Sequence, residues 1–253
     1  MKIPKSHPRY ESLKYRHKLI RGIDEGFVAI AGLIAHGRGE AFDYLIGEKT
    51  TKNAELAERT AVAKLLVAKH PVISVNGNVA ALVPCEIVNL SKILNAKLEV
   101  NLFYRTTERE QKIKEILIAT GAKEVLGVDN VSCEKIPKLN SDRARVDASG
   151  IGISDVVLVP LEDGDRAEAL VAIGKEVIAI DLNPLSRTSK AACVTINDNI
   201  TRAIPNMIKF AEEMKLWDEN ELKKLIMNFD NTKNLNDALC AIYENLGENL
   251  KSR

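Results

Sequence analysis

This sequence predicts an α/β fold: a parallel, doubly wound sheet flanked by helices, with a helical N-terminal cap and a helical C-terminal segment. Three observations carry that expectation. From Pro71 onward, short apolar runs alternate with stretches of helix length, the pattern of parallel strands joined by crossover helices. Runs such as Val156–Val159 and Val177–Ile180 are continuous and rich in β-branched residues, as buried strands are. Four strands also end in polar clusters: Asn76-Gly77-Asn78, Glu162-Asp163-Gly164-Asp165, Asp181-Leu182-Asn183 and Asn197-Asp198-Asn199. In a parallel sheet all four ends lie on one edge, where open α/β sheets bind ligands.

Taken in order, Pro8 to Ala35 carries apolar residues at helical spacing (Leu13, Leu19, Ile20, Ile23, Phe27, Ile30, Leu33, Ile34), which predicts two helices bent near Gly22 or Gly26. A glycine-punctuated segment, His36–Glu48, then leads to an Ala-rich helix from Ala54 to Ala68. The alternation that follows predicts strands at Val72–Val75, Leu98–Leu102, near Val125, Val156–Val159, Val177–Ile180 and Cys193–Ile196. Helices are expected at Pro84–Leu94, Glu108–Thr120, Arg166–Ile173, Ile200–Met214, Glu219–Phe229 and Leu235–Leu250, with Asn130–Gly152 a polar stretch. We expect one domain, 1–253, in three parts: a helical segment 1–70, an α/β core 71–200 and C-terminal helices 201–253.

Composition narrows the function. The 253 residues balance 36 Lys and Arg against 35 Asp and Glu, so the chain as a whole has no electrostatic reason to seek nucleic acid or an anionic membrane. The four cysteines, Cys85, Cys133, Cys193 and Cys240, lack the paired spacing of zinc sites and read as reduced thiols of a cytosolic protein. No secretory segment opens the sequence and no apolar run nears the ~20 residues that span a bilayer. A soluble, cytoplasmic protein is expected.

The stretch Asp181-Leu182-Asn183-Pro184-Leu185-Ser186-Arg187-Thr188-Ser189-Lys190 offers a carboxylate, amide, hydroxyls and cations just after a buried strand, a mixture suited to a phosphorylated, hydroxyl-bearing ligand such as a nucleotide. Asn76-Gly77-Asn78 reads either as a backbone turn toward an anion or as a plain tight turn. Arg38, between Gly37 and Gly39, can fork onto a phosphate. Neither a dinucleotide glycine fingerprint nor a P-loop is present. Arg16 reads most simply as a solvated helix residue. With His7, His17, His36 and His70 scattered, a nucleophilic pair has little support. Chemistry by cationic groups holding phosphates while two substrates react is the alternative, beside a nucleotide-sensing module without turnover or a dehydrogenase.

Four blocks carry a resemblance. Ile3–Tyr10, Ala31–Glu48, Val75–Pro84 and Asp181–Arg187 resemble the archaeal phosphopantothenate synthetase (4-phosphopantoate–β-alanine ligase) family. The resemblance implies a Rossmann-like core, a homodimer, and ATP as substrate with Mg²⁺. It implies condensation of 4-phosphopantoate with β-alanine through an acyl-adenylate, releasing AMP and diphosphate. It further implies that Arg16, Arg38, Asp181, Leu182, Asn183, Arg187, Thr188, Asp198 and Asn199 bind ATP, and that Asn76, Gly77 and Asn78 meet phosphopantoate or the reacting phosphate. Arg38, Asn78 and Arg187 are the expected catalytic groups. Thr188 replaces a serine of the family's pattern and keeps the hydroxyl. A lid formed by Gly37–Gly47 is expected to exclude water from the acyl-adenylate.

Overall fold

The computed structural model describes residues 3–128, 133–137, 139 and 141–251. Its centre is a five-stranded parallel sheet of β1 (Pro71–Val75), β2 (Lys97–Val100), β5 (Val156–Pro160), β6 (Glu176–Ile180) and β7 (Val194–Ile196), in the order β2-β1-β5-β6-β7. The chain runs outward one way from β1 to β2 and then the other way from β5 to β7. The direction reverses between β1 and β5, so the crevice of this doubly wound sheet opens there.

Alternation of side chains explains why both sheet faces are buried. Ile73, Val75, Leu98, Val100, Leu158, Ile178, Ile180, Val194 and Ile196 point into one apolar layer, against α3 (Lys52–Val67), α5 (Pro84–Ile93) and α9 (Ile200–Met214). Val72, Val157, Val159, Val177 and Ala179 point the other way, against α7 (Gly164–Ala172) and residues Val146 and Ile151. A period of two with apolar residues on both faces is the signature of a covered parallel sheet. The helical cap consists of α1 (Tyr10–Asp24) and α2 (Ile30–Ile46); α10 (Glu219–Met227) and α11 (Asn231–Lys251) close the chain.

The structure departs from the sequence expectations in identifiable places. The first bend falls at Gly26, with φ +84°, whereas Gly22 stays in α1, where its lack of a Cβ lets Val28 pack close: a Cβ would meet Val28 Cγ2 at 2.5 Å. The segment His36–Ile46 is the second half of α2, which ends only at Gly47 with φ +94°. Isolated glycines cost a helix about 1 kcal/mol each, less than the burial gained by Ile46 and the ion pairs of Asp43 described below. Two short helices were hidden by their capping residues: α4 (Gly77–Leu82), whose N-cap is Asn76, and α8 (Arg187–Ala191), whose N-cap is Ser186. Within the polar stretch, β3 (Cys133–Lys135) and β4 (Arg145–Asp147) form an antiparallel pair, and a 3₁₀ turn spans Asp142–Ala144. The strand expected near Val125 is a single parallel bridge between Leu126 and Glu99, and part of 130–152 lies outside the described residues. Among the described residues no helix is long and apolar enough to cross a membrane. The four cysteines are free thiols.

Polar groups pin the cap to the core. Arg202 on α9 donates to Asp43 on α2 and to Asp198 after β7, Asn199 Nδ2 donates to Asp43 at 2.8 Å, and Thr50 Oγ1 donates to Asp198. Glu58 on α3 is fully buried at the edge of this network, with Asn206 Nδ2 donating to one oxygen at 3.3 Å and its other oxygen unpartnered among the described residues. Burial, and then the Asp198 carboxylate, push the Glu58 carboxyl up to about 9 from 4.5. A raised acid binds its proton in the folded state after the unfolded chain has lost it, so this group lowers stability as pH rises from about 4.5 toward about 9. Glu58→Gln is therefore expected to stabilise the protein by about 2 kcal/mol at neutral pH and to flatten the fall in melting temperature between pH 5 and 8. Thermal unfolding across that range checks it; a pH profile identical to the parent's would refute it.

Candidate active site at the carboxyl edge of the sheet

A cavity of about 650 Å³ opens at the reversal between β1 and β5, and its wall draws on all four strand-end clusters. Asn76, Gly77 and Asn78 come from the end of β1, Glu162, Asp163 and Gly164 from β5, Asp181, Leu182 and Asn183 from β6, and Asn199 from β7. Helix α2 roofs it with His36, Arg38 and Glu40, while Phe103, Tyr104 and Arg109 close the β2 end.

The β6 end is built from reciprocal turns. Asp181 accepts from Asn183 N at 2.9 Å and from Ser186 Oγ, Asn183 Oδ1 accepts from Leu185 N at 2.9 Å, and Ser186 Oγ caps α8 by accepting from Ser189 N at 2.9 Å. Asx turns of this kind fix a loop without any ligand. Burial raises the Asp181 carboxyl above its ordinary value, against the bonds from Ser186 and Asn183 and the Arg38 charge. Thr188 Oγ1 donates to Glu162 O at 2.9 Å, joining the β6 loop to the β5 end. Gly164 permits this closeness, since a Cβ there would meet Arg187 Cβ at 2.4 Å. Arg187 is exposed, with both Nε and NH2 donating to Glu168, at 2.9 and 2.6 Å.

At the crevice itself the charges are buried. Glu162 lies between Arg143 and Arg166, and Arg166 NH1 also donates to Ser74 Oγ at 3.1 Å on β1. Burial opposes ionisation of Glu162, but the two guanidiniums override it and hold the carboxyl below its ordinary value. Arg143 Nε is also 3.1 Å from Asp163 Oδ2, yet burial keeps the Asp163 carboxyl above its ordinary value. On the cap, Arg16 and Ser12 hold Glu40. His36 Nε2 is buried without a partner among the described residues, and burial lowers that imidazole's affinity for a proton.

Of the expected site residues, Arg38, Asn76, Gly77, Asn78, Asp181, Leu182, Asn183, Arg187, Thr188 and Asn199 share this wall. Two do not. Arg16 stands behind Glu40, and Asp198 is buried against Arg202 and Thr50. The two amides of the first cluster are engaged with backbone. Asn76 Oδ1 accepts from Val79 N at 3.1 Å and its Nδ2 donates to Pro160 O and Leu161 O, while Asn78 Nδ2 donates to Gly32 O at 2.9 Å. They lock β1, β5 and α2 together. Gly32 and Gly77 are required for that approach: a Cβ would lie 2.3 Å from Asn78 Oδ1 at the first and 2.4 Å from Phe27 O at the second. The segment Gly37–Gly47, expected as a lid, is the C-terminal part of α2 and its C-cap; Arg38, Gly39, Glu40 and Phe42 line the cavity, and the segment is held by Asp43 and by Asn245 Nδ2, which donates to Leu45 O at 3.0 Å.

Sequence reading passed over Arg109, Arg143, Phe103 and Tyr104. Arg143 lies in an aperiodic stretch, and Arg109 looks like any helix-surface cation in Thr106-Thr107-Glu108-Arg109. Only the Thr106 cap, which marks the start of a helix next to a strand end, hinted at α6 (Thr107–Ala119) reaching the site.

Residues 53–245 match the phosphopantothenate/pantothenate synthetase family. The chain belongs to that family. It is similar along almost its whole length to proteins named 4-phosphopantoate–β-alanine ligase. That of Thermococcus kodakarensis is 58% identical over 245 residues, covering 96% of this chain and 93% of the relative. That of Thermococcus onnurineus is 58% identical over 247 residues (97% and 94%), and that of Methanosarcina mazei 57% over 245 (96% and 95%).

For the Mg²⁺ that the family resemblance implies, no three His, Cys, Asp or Glu side chains among the described residues cluster as a cage. The half-exposed Asp163 in the cavity wall fits an ion that keeps nucleotide phosphates and waters as its other ligands, the usual arrangement for Mg²⁺.

Proposed function

We propose that this chain is an ATP-dependent ligase that condenses 4-phosphopantoate with β-alanine to give 4′-phosphopantothenate, AMP and diphosphate. The observation that carries the reading is identity above half, across nearly the full length, with proteins bearing that ligase name. A cavity with polar loops at one end and guanidiniums along its length supports it.

In the first step a carboxylate oxygen of 4-phosphopantoate attacks the α-phosphorus of ATP; the new P–O bond forms as the bond to diphosphate breaks. Two anions meet, so the protein's task is to hold charge in place rather than supply a nucleophile. Arg38 and Arg187, from opposite walls, take the nucleotide phosphates, and the Asp181–Thr188 loop with Asn199 takes the nucleoside. Asp198, through Arg202, and Arg16, through Glu40, position those groups from behind. Asn76 and Asn78 hold the backbone of Gly77 at the reacting centre. Bound Mg²⁺ would neutralise phosphate charge beside Asp163. In the second step the neutral amine of β-alanine attacks the acyl carbon, AMP leaves with its bonding pair, and the amine's proton passes to solvent.

The enzyme works in the cytoplasm as a homodimer, a reading that rests on family resemblance. Tyr243, Leu246 and Leu250 form an exposed apolar stripe on α11 in keeping with it. Purified protein with Mg·ATP and 4-phosphopantoate should release AMP and form phosphopantothenate when β-alanine is added. Formation of ADP would exclude the adenylate route, and absence of any product would sink the ligase reading.

A further inference from the structure

The β2 end of the cavity holds a guanidinium with no anionic partner among the described residues. Arg109 lies in the first turn of α6; its NH1 donates to Tyr104 O, its NH2 to Phe27 O at 3.2 Å, and its Nε is buried with no partner among the described residues. The neighbouring carboxylates are occupied, Glu108 by Lys112 and Glu110 by Arg105. Burial depresses the Arg109 pKa. A cation in the first turn also sits at the positive end of the helix dipole. The other cavity cations are differently placed: Arg143 faces Glu162 and Asp163, Arg187 holds Glu168, and Arg38 is exposed to water.

We propose that Arg109 binds the phosphate of 4-phosphopantoate and so makes the site select the phosphorylated acid over free pantoate. This rests on the ligase reading above. The order of the wall along the sheet edge decides which anion is meant. The nucleotide loops belong to β6 and β7, and the two ends that meet at the crevice belong to β1 and β5. With the reacting carboxylate at the crevice beside the α-phosphorus, the rest of the acid extends toward β2, three strand spacings or about 14 Å from β6. Its phosphate, at the end opposite the carboxylate, then arrives at Arg109. The carboxylate of β-alanine lies only two carbons from its attacking amine and stays near the crevice. A phosphate also offers this half-buried guanidinium more charge than a carboxylate does, with oxygens for its fork of donors.

The competing explanation is that Arg109 only staples the Phe27 and Tyr104 backbones. Calorimetric titration with 4-phosphopantoate, with KM measured for each substrate, separates the two in Arg109→Gln and Arg109→Lys. The glutamine variant is expected to weaken 4-phosphopantoate about 100-fold, leaving the KM for ATP and β-alanine within about 3-fold. The lysine variant, which keeps charge and loses the fork, is expected to lose about 10-fold. A rise confined to β-alanine, or equal weakening of all three substrates with a lowered melting temperature, would overturn the assignment. Should the glutamine variant not fold, the same selectivity in the lysine variant decides. Wild-type protein that binds 4-phosphopantoate through Arg109 but forms no product would refute the ligase reading and not this one.

Discussion

Glu162→Gln is expected to destabilise the protein by about 3–5 kcal/mol, the usual cost of breaking a buried ion cluster by removing one partner. Its side chain is 1% exposed and Arg166 is wholly buried, so the two guanidiniums left behind would have no water to replace the carboxylate. Among the described residues Arg166 Nε and NH2 already lack partners, which leaves the bond to Ser74 to hold the cation. For a chain of this size the loss corresponds to a fall in melting temperature of about 10 °C. The pH dependence has a definite sign. Because the folded carboxyl is held below its ordinary value, its contribution is present above the unfolded pKa of about 4.3 and is lost as pH falls through the folded value. The variant should therefore lack that part of the parent's acid sensitivity. Denaturant unfolding at pH 7 and at pH 3–4 tests both statements; a variant within about 1 kcal/mol of the parent at pH 7 would show that the cluster is not held as described.

The alternation that revealed the sheet is a property of single strands, which is why β1, β2, β5, β6 and β7 could be read directly from runs such as Val156–Val159. The meeting of their polar ends followed from strand parallelism alone. What could not be read were features decided by distant contacts. The second half of α2 looks in sequence only like a glycine-punctuated connection inside a helical block, because what stabilises it as helix comes from Asp43 reaching Arg202 and Asn199, more than 150 positions away. Helices α4 and α8 begin at Asn76 and Ser186, residues whose local chemistry serves a turn and an N-cap equally well. Arg143 and Arg109 carry no periodic signal, and nothing in their neighbourhoods distinguishes a cation facing a cavity from one facing water. Asn78 is a mixed case: the family resemblance implies a substrate contact there and the residue does line the cavity, but its amide nitrogen donates to Gly32 O, a pairing its sequence neighbours do not reveal.

Arg38→Ala should reduce kcat/KM by about 10²–10³-fold while leaving the melting temperature within about 1 °C of the parent. The two halves of that expectation have separate causes. Arg38 is exposed on α2, lines the cavity across from Asp181, and has no carboxylate in ion-pair contact among the described residues. Its removal therefore strips no packing, and α2 stays pinned through Asp43. The same lack of a partner leaves its five donors free for phosphate oxygens. Arg187 is the instructive contrast, since its fork already holds Glu168 and a phosphate must compete for it; Arg187→Ala should lose less. If Arg38 acts mainly as charge develops on the departing diphosphate, kcat and kcat/KM for ATP fall together, whereas a role in ground-state binding raises KM alone. A folded Arg38→Ala enzyme retaining kcat/KM within about 3-fold would remove Arg38 from the phosphate site and shift the burden of nucleotide charge onto Arg187, the other cation beside the β6 loop of the same cavity.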